Sequence, residues 1–509
     1  MYDNTQLDCL FVVPNAHQKL YQGLADKYAA IEPPTWALLL ASACRNSQFS
    51  VAILDCKAES LNYKEAYNRI QLINPRLVCI VAYGQNPSAG VVEMAGTIEL
   101  SNTIKEYDPT IKICIVGSYP SALPKETLKF KSVDFVLIGE GVYAIQNLLK
   151  TNLKDHLDKV NGIGFKQDNT IHINKSQNLV TTPLMNKDLP SYAWDLLPYK
   201  SKPLDLYRSH MWHNKPTHRT PFAAIYTSLG CNFKCTYCMI NIINRIDYSD
   251  HITSADSAGM RFWSPEHSVN EIEKLVKMGV TTIRLSDEMF FMNKKHYKEI
   301  LKLLIERGLN KHINLWAYGR IDTIKNPENL ELAKKAGINF IAIGIESASE
   351  NIRGTIHKHF NNDTIHSIIK TIKSYDIGIV GDYIFGLPND NIESMQSTLD
   401  LSLELLTEHW NAYAAYALPG SPLYFEAIKN NWELPTEFSE YSFFSYESKP
   451  LPTKYLTAAE VLRFRDNAFH TYFTHLPYLE MVEKKYGIEQ RLDIENMSKI
   501  KLKRKLLGD

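Results

Sequence analysis

Short apolar runs separated by longer amphipathic stretches set the rhythm of this chain. In its first part, LDCLFVVP (7–14), VAILD (51–55), LVCIVAYG (77–84), KICIVGS (112–118) and VDFVLIGEG (133–141) are β-branched and almost continuously apolar. Strands of a parallel sheet covered on both faces read this way. The segments between them, such as PTWALLLASACRN and AGVVEMAGTIELSNTIKEY, are long enough for crossover helices. The pattern predicts a doubly wound, Rossmann-like α/β domain over residues 1–154, in which ligands lie at the strand carboxyl ends. Turn-forming and small residues gather at those ends: Asn15 after Pro14, Gly84 through Ser88, Gly117-Ser118, and Gly139-Glu140-Gly141. Glycine there lets a backbone approach a ligand closely.

Residues 155–215 change character. GIGFKQDNTIHI reads as a hairpin, and DLPSYAWDLLPY as a connector rich in proline and aromatics. From 216 to 425 a second series begins: AAIYTSLG (223–230), TTIRLSDEMF (281–290), NLWAYGRID (314–322), FIAIGIESAS (340–349), IGIVGDYIFGLP (377–388) and NAYAAYALPG (411–420), with helical stretches between. Six such βα units predict a partial (β/α)6 barrel of the TIM type, whose functional residues sit at strand carboxyl ends. Residues 426–509 read as mostly helical, and the basic end (Lys499, Lys501, Lys503, Arg504, Lys505) as a solvated helix face. Trp410, Tyr413, Tyr416, Tyr441 and Phe444 fit either a pocket wall for an apolar substrate or plain packing.

Composition narrows the classes. The chain has 509 residues, 56 basic and 56 acidic, so no net field draws it to nucleic acid. No stretch approaches the roughly 18 apolar residues of a membrane span. The N-terminus lacks the pattern of a signal peptide, and the cysteines suit a reducing compartment, so a cytoplasmic location is expected.

Three of the eight cysteines fall within CNFKCTYC: Cys231, Cys235 and Cys238. A closed zinc site wants four ligands, and no later cysteine completes this one; His251 is the nearest downstream histidine. Unmetallated thiols are a third reading. The spacing points first to a 4Fe-4S cluster with three irons held by protein and one left open to a small molecule, since clusters ordinarily have four thiolates.

With the barrel series behind it, this triplet resembles the signature of the radical S-adenosylmethionine (SAM) superfamily, over about residues 216–425. Tyr237 stands where that family has an aromatic residue. The resemblance implies SAM contacts from Asp287 and Glu288 in SDEMF, Arg320 in GRID, and Gly344, Glu346 and Ser347 in GIESAS. It adds Gly386 in IFGLPNDNIE, where Asp390 replaces the usual glutamate, and a closing turn in ALPGSPLY. The N-terminal half resembles the cobalamin-binding subfamily, through GSYPSALPKETL, VDFVLIGEGVYAIQNLL and WDLLP. That likeness implies cobalamin contacts from Asn15, Gly84, Ser88, Gly117, Ser118, Gly139, Glu140 and Gly141. The usual D-x-H-x-x-G motif is absent: the chain reads PNAHQKL, so His17 is read as a loop histidine and no histidine is expected to ligate the cobalt.

In this family the open iron binds SAM, and reductive cleavage gives a 5′-deoxyadenosyl radical that abstracts a substrate hydrogen. The resemblance therefore implies a cluster, SAM, cobalamin, a reductant such as flavodoxin or ferredoxin, and a small-molecule substrate between the two carboxyl-end faces. The leading expectation is methyl transfer to an unactivated carbon. Cyclisation or rearrangement without methyl transfer, and a non-catalytic iron–sulfur or cobalamin sensor, are the alternatives. The catalytic acid or base residues are not named by any motif, and neither is the substrate.

Overall fold

A computed structural model describes residues 6–168, 170–198, 204, 206–209, 221–246, 249, 252–324 and 326–509. His251 lies outside them.

The first sheet holds seven strands: β1 (Leu7–Val13), β2 (Val51–Asp55), β3 (Pro75–Ala82), β4 (Lys112–Gly117), β5 (Phe135–Leu137), β6 (Ile163–Gln167) and β7 (Thr170–Ile173). Their order is β2-β1-β3-β4-β5-β6-β7. The first five run parallel, and the chain doubles back at β6 and β7. The hairpin expected in the connector thus forms an edge of this sheet. The apolar runs are explained by their cover: Phe11, Cys79 and Cys114 face one buried layer, Leu10, Val78 and Ile113 the other.

The second series begins with β8 (Phe222–Ile225), β9 (Ser228–Cys231) and β10 (Gly259–Phe262). It continues through β11 (Thr282–Leu285), β12 (Asn314–Gly319), β13 (Ile338–Glu346), β14 (Gly378–Phe385) and β15 (His409–Ala414). Six of these form an all-parallel, open half-barrel in the order β15-β14-β13-β12-β11-β8. One expectation is corrected. AAIYTSLG is not one strand but two, and β9 leaves the half-barrel to pair antiparallel with β10. Asp287 is the cause. Its carboxylate accepts from the Thr227 backbone N–H (2.8 Å), the Thr227 hydroxyl (2.7 Å) and the Ser228 hydroxyl, which pins the bend at the break.

The carboxyl ends of the two sheets face each other. Arg245 donates to the Ser121 and Ala122 carbonyls at 2.8 and 2.7 Å. Arg261 on β10 forms a buried ion pair with Glu140, and Arg284 on β11 forms another with Glu32. Gly420 has a required closeness: a Cβ there would stand 2.6 Å from that of Ala122.

Of three C-terminal helices, Ala458–Phe473 packs on β15, with Trp410 stacked on Tyr472 at 5.2 Å, and Leu476–Tyr486 and Ile488–Ser498 pack against that helix. The basic end departs from expectation in part: Lys499, Lys501, Lys503 and Lys505 are exposed, but Arg504 is not. The last of these helices stops at Ser498, and Arg504 is fully buried. Its guanidinium grips Asp466 through Nε and Nη2 and reaches the Ser445 and Phe443 carbonyls, all at 2.8–2.9 Å. A charge-counting reading cannot tell a buried, fully bonded arginine from a solvated one. No helix among the described residues is long and apolar enough to cross a membrane.

Candidate functional site at the meeting of two sheets

The cysteine loop starts where β9 ends. Gly230 precedes Cys231 with φ +83°, and a Cβ there would stand 2.2 Å from the Gly259 carbonyl and 2.5 Å from the Asn244 amide. No side chain fits that approach. Asn241 then ties the loop together, accepting from the Cys231 N–H at 2.8 Å and donating to the Phe233 carbonyl at 3.2 Å. Each of the three sulfurs receives an N–H donor: Cys231 from Phe233 (3.4 Å), Cys238 from Ile240 (3.5 Å) and Cys235 from Arg320 (3.9 Å). Such donors favour sulfur as thiolate. Burial opposes them, pushing the Cys231 thiol up to about 12 and raising the Cys238 thiol well above its usual range. Two or three thiolates this enclosed need cations beside them. Among the described residues no three His, Cys, Asp or Glu side chains converge as ligands of one metal ion.

Arg320 is fixed from two sides. Asp322 takes its Nε and Nη2 at 2.9 and 3.0 Å, and the guanidinium lies 3.7 Å above the Phe233 ring. Tyr237, between the last two cysteines, donates to Glu346 at 2.9 Å. Glu346 ends β13 in the left-handed region (φ +69°) and pairs with Lys358, which also donates to the Gly344 carbonyl at 3.0 Å. A Cβ on Gly344 would stand 2.4 Å from the Glu346 carboxylate and 2.5 Å from the Lys358 ammonium, so this glycine makes room for the pair. Lys358 carries no motif and was not singled out from the sequence. Its only signal there is a lysine 12 residues after an acidic strand end.

The remaining SAM candidates differ in availability. Ser347 is buried, its hydroxyl 3.2 Å from that of Thr398. Gly386 (φ +82°) donates its N–H to Asp390 at 3.1 Å, and Leu387 does so at 2.9 Å. Asp390 therefore shapes the turn after β14. Asp287 has both oxygens engaged by the bend at Thr227. Glu288 beside it keeps its carboxylate available, and burial pushes it up to about 8 despite the attraction of Arg284.

A cavity of about 310 Å³ lies between the two carboxyl-end faces. Gly84 and Ser88 line it from the first sheet, and Tyr237, Leu387 and Tyr413 from the half-barrel. Tyr416, Tyr441 and Phe444 also line it. The other cobalamin candidates stand behind this wall. Asn15 accepts from the His17 N–H at 3.1 Å. Gly117 packs against the Ala82 carbonyl, 2.4 Å from where its Cβ would be. The Gly139 carbonyl accepts from Tyr83 at 2.7 Å, Glu140 is held by Arg261, and Gly141 caps the helix Val142–Leu149. The Ser118 hydroxyl is buried at the end of β4 with no partner, and a Cβ on Gly90 would overlap it. An orphaned hydroxyl in a glycine cradle, beside an apolar cavity, suits a large ligand with polar side arms. His17 begins a short helix, stacks on Tyr21 at 4.8 Å and does not line the cavity; burial holds its imidazole neutral, down to about 3.

Comparison with known proteins agrees with this division. Residues 225–402 match the radical SAM superfamily profile, and residues 21–149 match the B12 binding domain profile. An uncharacterized methyltransferase of Pyrococcus horikoshii is 24% identical over 446 residues, covering 87% of this chain and 88% of its own length. The anaerobic magnesium-protoporphyrin IX monomethyl ester cyclase of Cereibacter sphaeroides is 23% identical over 472 residues, covering 89% and 68%. In fold, the chain resembles the radical SAM methyltransferase TsrM of Kitasatospora setae, whose structure holds cobalamin and a [4Fe-4S] cluster. The TM-score is 0.66 at 14% identity, covering 97% of this chain and 99% of that one. The chain thus carries a B12-binding domain set against a radical SAM half-barrel, the combination found in cobalamin-dependent radical SAM enzymes.

Proposed function

We propose that this enzyme transfers a methyl group to an unactivated carbon of a small-molecule substrate. One juxtaposition carries the reading: Tyr237, within the cysteine loop, and Gly84 with Ser88, at the edge of the first sheet, line the same cavity. When bound, the cluster with SAM supplies a hydrogen-abstracting radical and cobalamin supplies the transferable methyl group. The chain's own residues hold and shield. Cys231, Cys235 and Cys238 would bind three irons, with the Arg320 guanidinium and two backbone N–H groups offsetting the charge on sulfur. Glu288, Glu346 with Lys358, and the turn at Gly386 would orient SAM. Gly84 and Ser88 would face cobalamin, and the apolar cavity walls exclude water from the reacting carbon. The substrate's hydrogen and incoming methyl would lie on the side of Tyr413. A flavodoxin- or ferredoxin-like reductant would deliver electrons.

The test is anaerobic reconstitution with iron, sulfide and hydroxocobalamin, then incubation with methyl-deuterated SAM, a reductant and candidate small molecules. A deuterated methyl appearing in product supports the reading. Turnover of substrate with 5′-deoxyadenosine formed and no label transferred would overturn it. That outcome would instead favour ring formation, the reading encouraged by the likeness to the Cereibacter cyclase.

A further inference from the structure

A second cavity, of about 270 Å³, opens beside the first. The two share Tyr21, Ala30, Gln85, Tyr413, Phe443 and Phe444 as walls. The far wall of the second cavity comes from the C-terminal helices, through Arg465, Phe469 and Ile494. No motif assigns these helices a task.

Arg465 is the informative residue. Its side chain is only 4% exposed. Nε donates to the Ala412 carbonyl at 3.0 Å, and Nη1 to Asp466 at 3.1 Å. Nη2 has no hydrogen-bond partner among the described residues, yet it is not fully enclosed by protein. A buried guanidinium is normally satisfied on all its donors. Asp466 does not balance it, because Arg504 already holds that carboxylate in a two-point grip at 2.8 Å. Two guanidiniums therefore share one carboxylate, and of these three groups only Arg465 lines this cavity. Lys27 also lines the cavity and is paired with Asp493. Trp410, Phe469 and Phe473 line the same cavity with aromatic surface.

We propose that this second cavity is the substrate chamber and that it takes an acid with a flat, apolar body. Nη2 of Arg465 holds the anionic oxygen, while the body lies along the aromatic wall toward Tyr413, where the chambers adjoin. The proposal rests on the first cavity being the reaction chamber. Charge-assisted hydrogen bonds in an enclosed site discriminate an acid from its neutral analogue by about tenfold or more.

The test uses the reconstituted full-length protein and two probes, naphthaleneacetate and the neutral naphthaleneethanol, with binding followed by titration calorimetry. The acid should bind at least about tenfold more tightly. Arg465→Met should abolish that preference while leaving binding of the alcohol within about twofold. Ile494→Trp, which fills the chamber, should weaken both probes. The proposal is overturned if the wild-type protein shows no preference, or if the preference survives Arg465→Met. It is equally overturned if Arg465→Met weakens both probes alike, since the guanidinium then serves the fold, or if Ile494→Trp changes neither. Iron and cobalt are measured on the same preparations. An intact acid preference in protein that holds no cobalt would sink the methyl-transfer reading and leave the chamber standing; full loading without the preference does the reverse.

Discussion

Arg284, on a strand of the half-barrel, donates a hydrogen bond to the Glu32 carboxylate of the N-terminal domain, and neither side chain is more than 6% exposed. Arg284 also donates to the Tyr318 hydroxyl at 2.9 Å and lies over the Trp316 ring. The pair sets the angle between the domains across the cavity that Glu32 lines. Removing one partner leaves the other charge buried and alone. Arg284→Met should cost about 3–5 kcal/mol. Glu32→Leu combined with Arg284→Met should recover more than half of that loss. Urea unfolding of both single variants and the double variant, in one cofactor state, checks this; a double-variant loss equal to the sum of the two single losses would mean the residues are not coupled.

Glu346 and Lys358 form a second enclosed pair, and Gly344 leaves them space. Gly344→Ala should push both groups from position and weaken SAM binding by more than tenfold, because its Cβ would stand 2.4 Å from one and 2.5 Å from the other. Lys358→Met should act similarly by stripping Glu346 of its cation. Equilibrium binding of SAM to reconstituted protein reads both, and unchanged affinity would remove Glu346 from the SAM site.

Cys235→Ala should abolish most iron retention. Arg320→Met should keep the iron but make the cluster harder to reduce, because the N–H aimed at the Cys235 sulfur is gone. Iron analysis and an electrochemical titration separate the two effects. An unchanged potential in Arg320→Met would show that the contact does not reach the cluster.

Glu288 predicts a pH dependence. Its ordinary value of 4.5 rises to about 8 in the fold, chiefly through burial. The folded protein therefore binds that proton more tightly than the unfolded chain. Its contribution to stability is complete below about pH 4.5 and is lost as pH rises through about 8. The melting temperature of cofactor-free protein should fall across this window, and Glu288→Gln should flatten the fall. Identical profiles would contradict the assignment.

Arg504→Ala should destabilise the protein by about 3 kcal/mol, because four hydrogen bonds to Asp466, Ser445 and Phe443 go with it. A thermal melt is sufficient; a change within error would show that the C-terminal segment docks by apolar contact alone.

The strands were legible because burial on both faces leaves a continuous apolar run, and the cysteine loop because three thiols crowd into eight residues. The break at Thr227 was not. It depends on an aspartate 60 residues away reaching back to a backbone N–H, and no local pattern encodes that reach. Glu140 illustrates the opposite difficulty. Its place in a GEG turn points to a ligand, while its partner Arg261 comes from another sheet. Lys358 lacks a signal for the same reason, since its role is defined by where β13 ends in space.

The walls of the paired cavities are made in a fixed order. The first sheet and the half-barrel leave the ribosome before the segment at 441–444 and the helices that supply Arg465, Phe469 and Ile494. Until those residues are synthesised, the space between the domains is an open cleft.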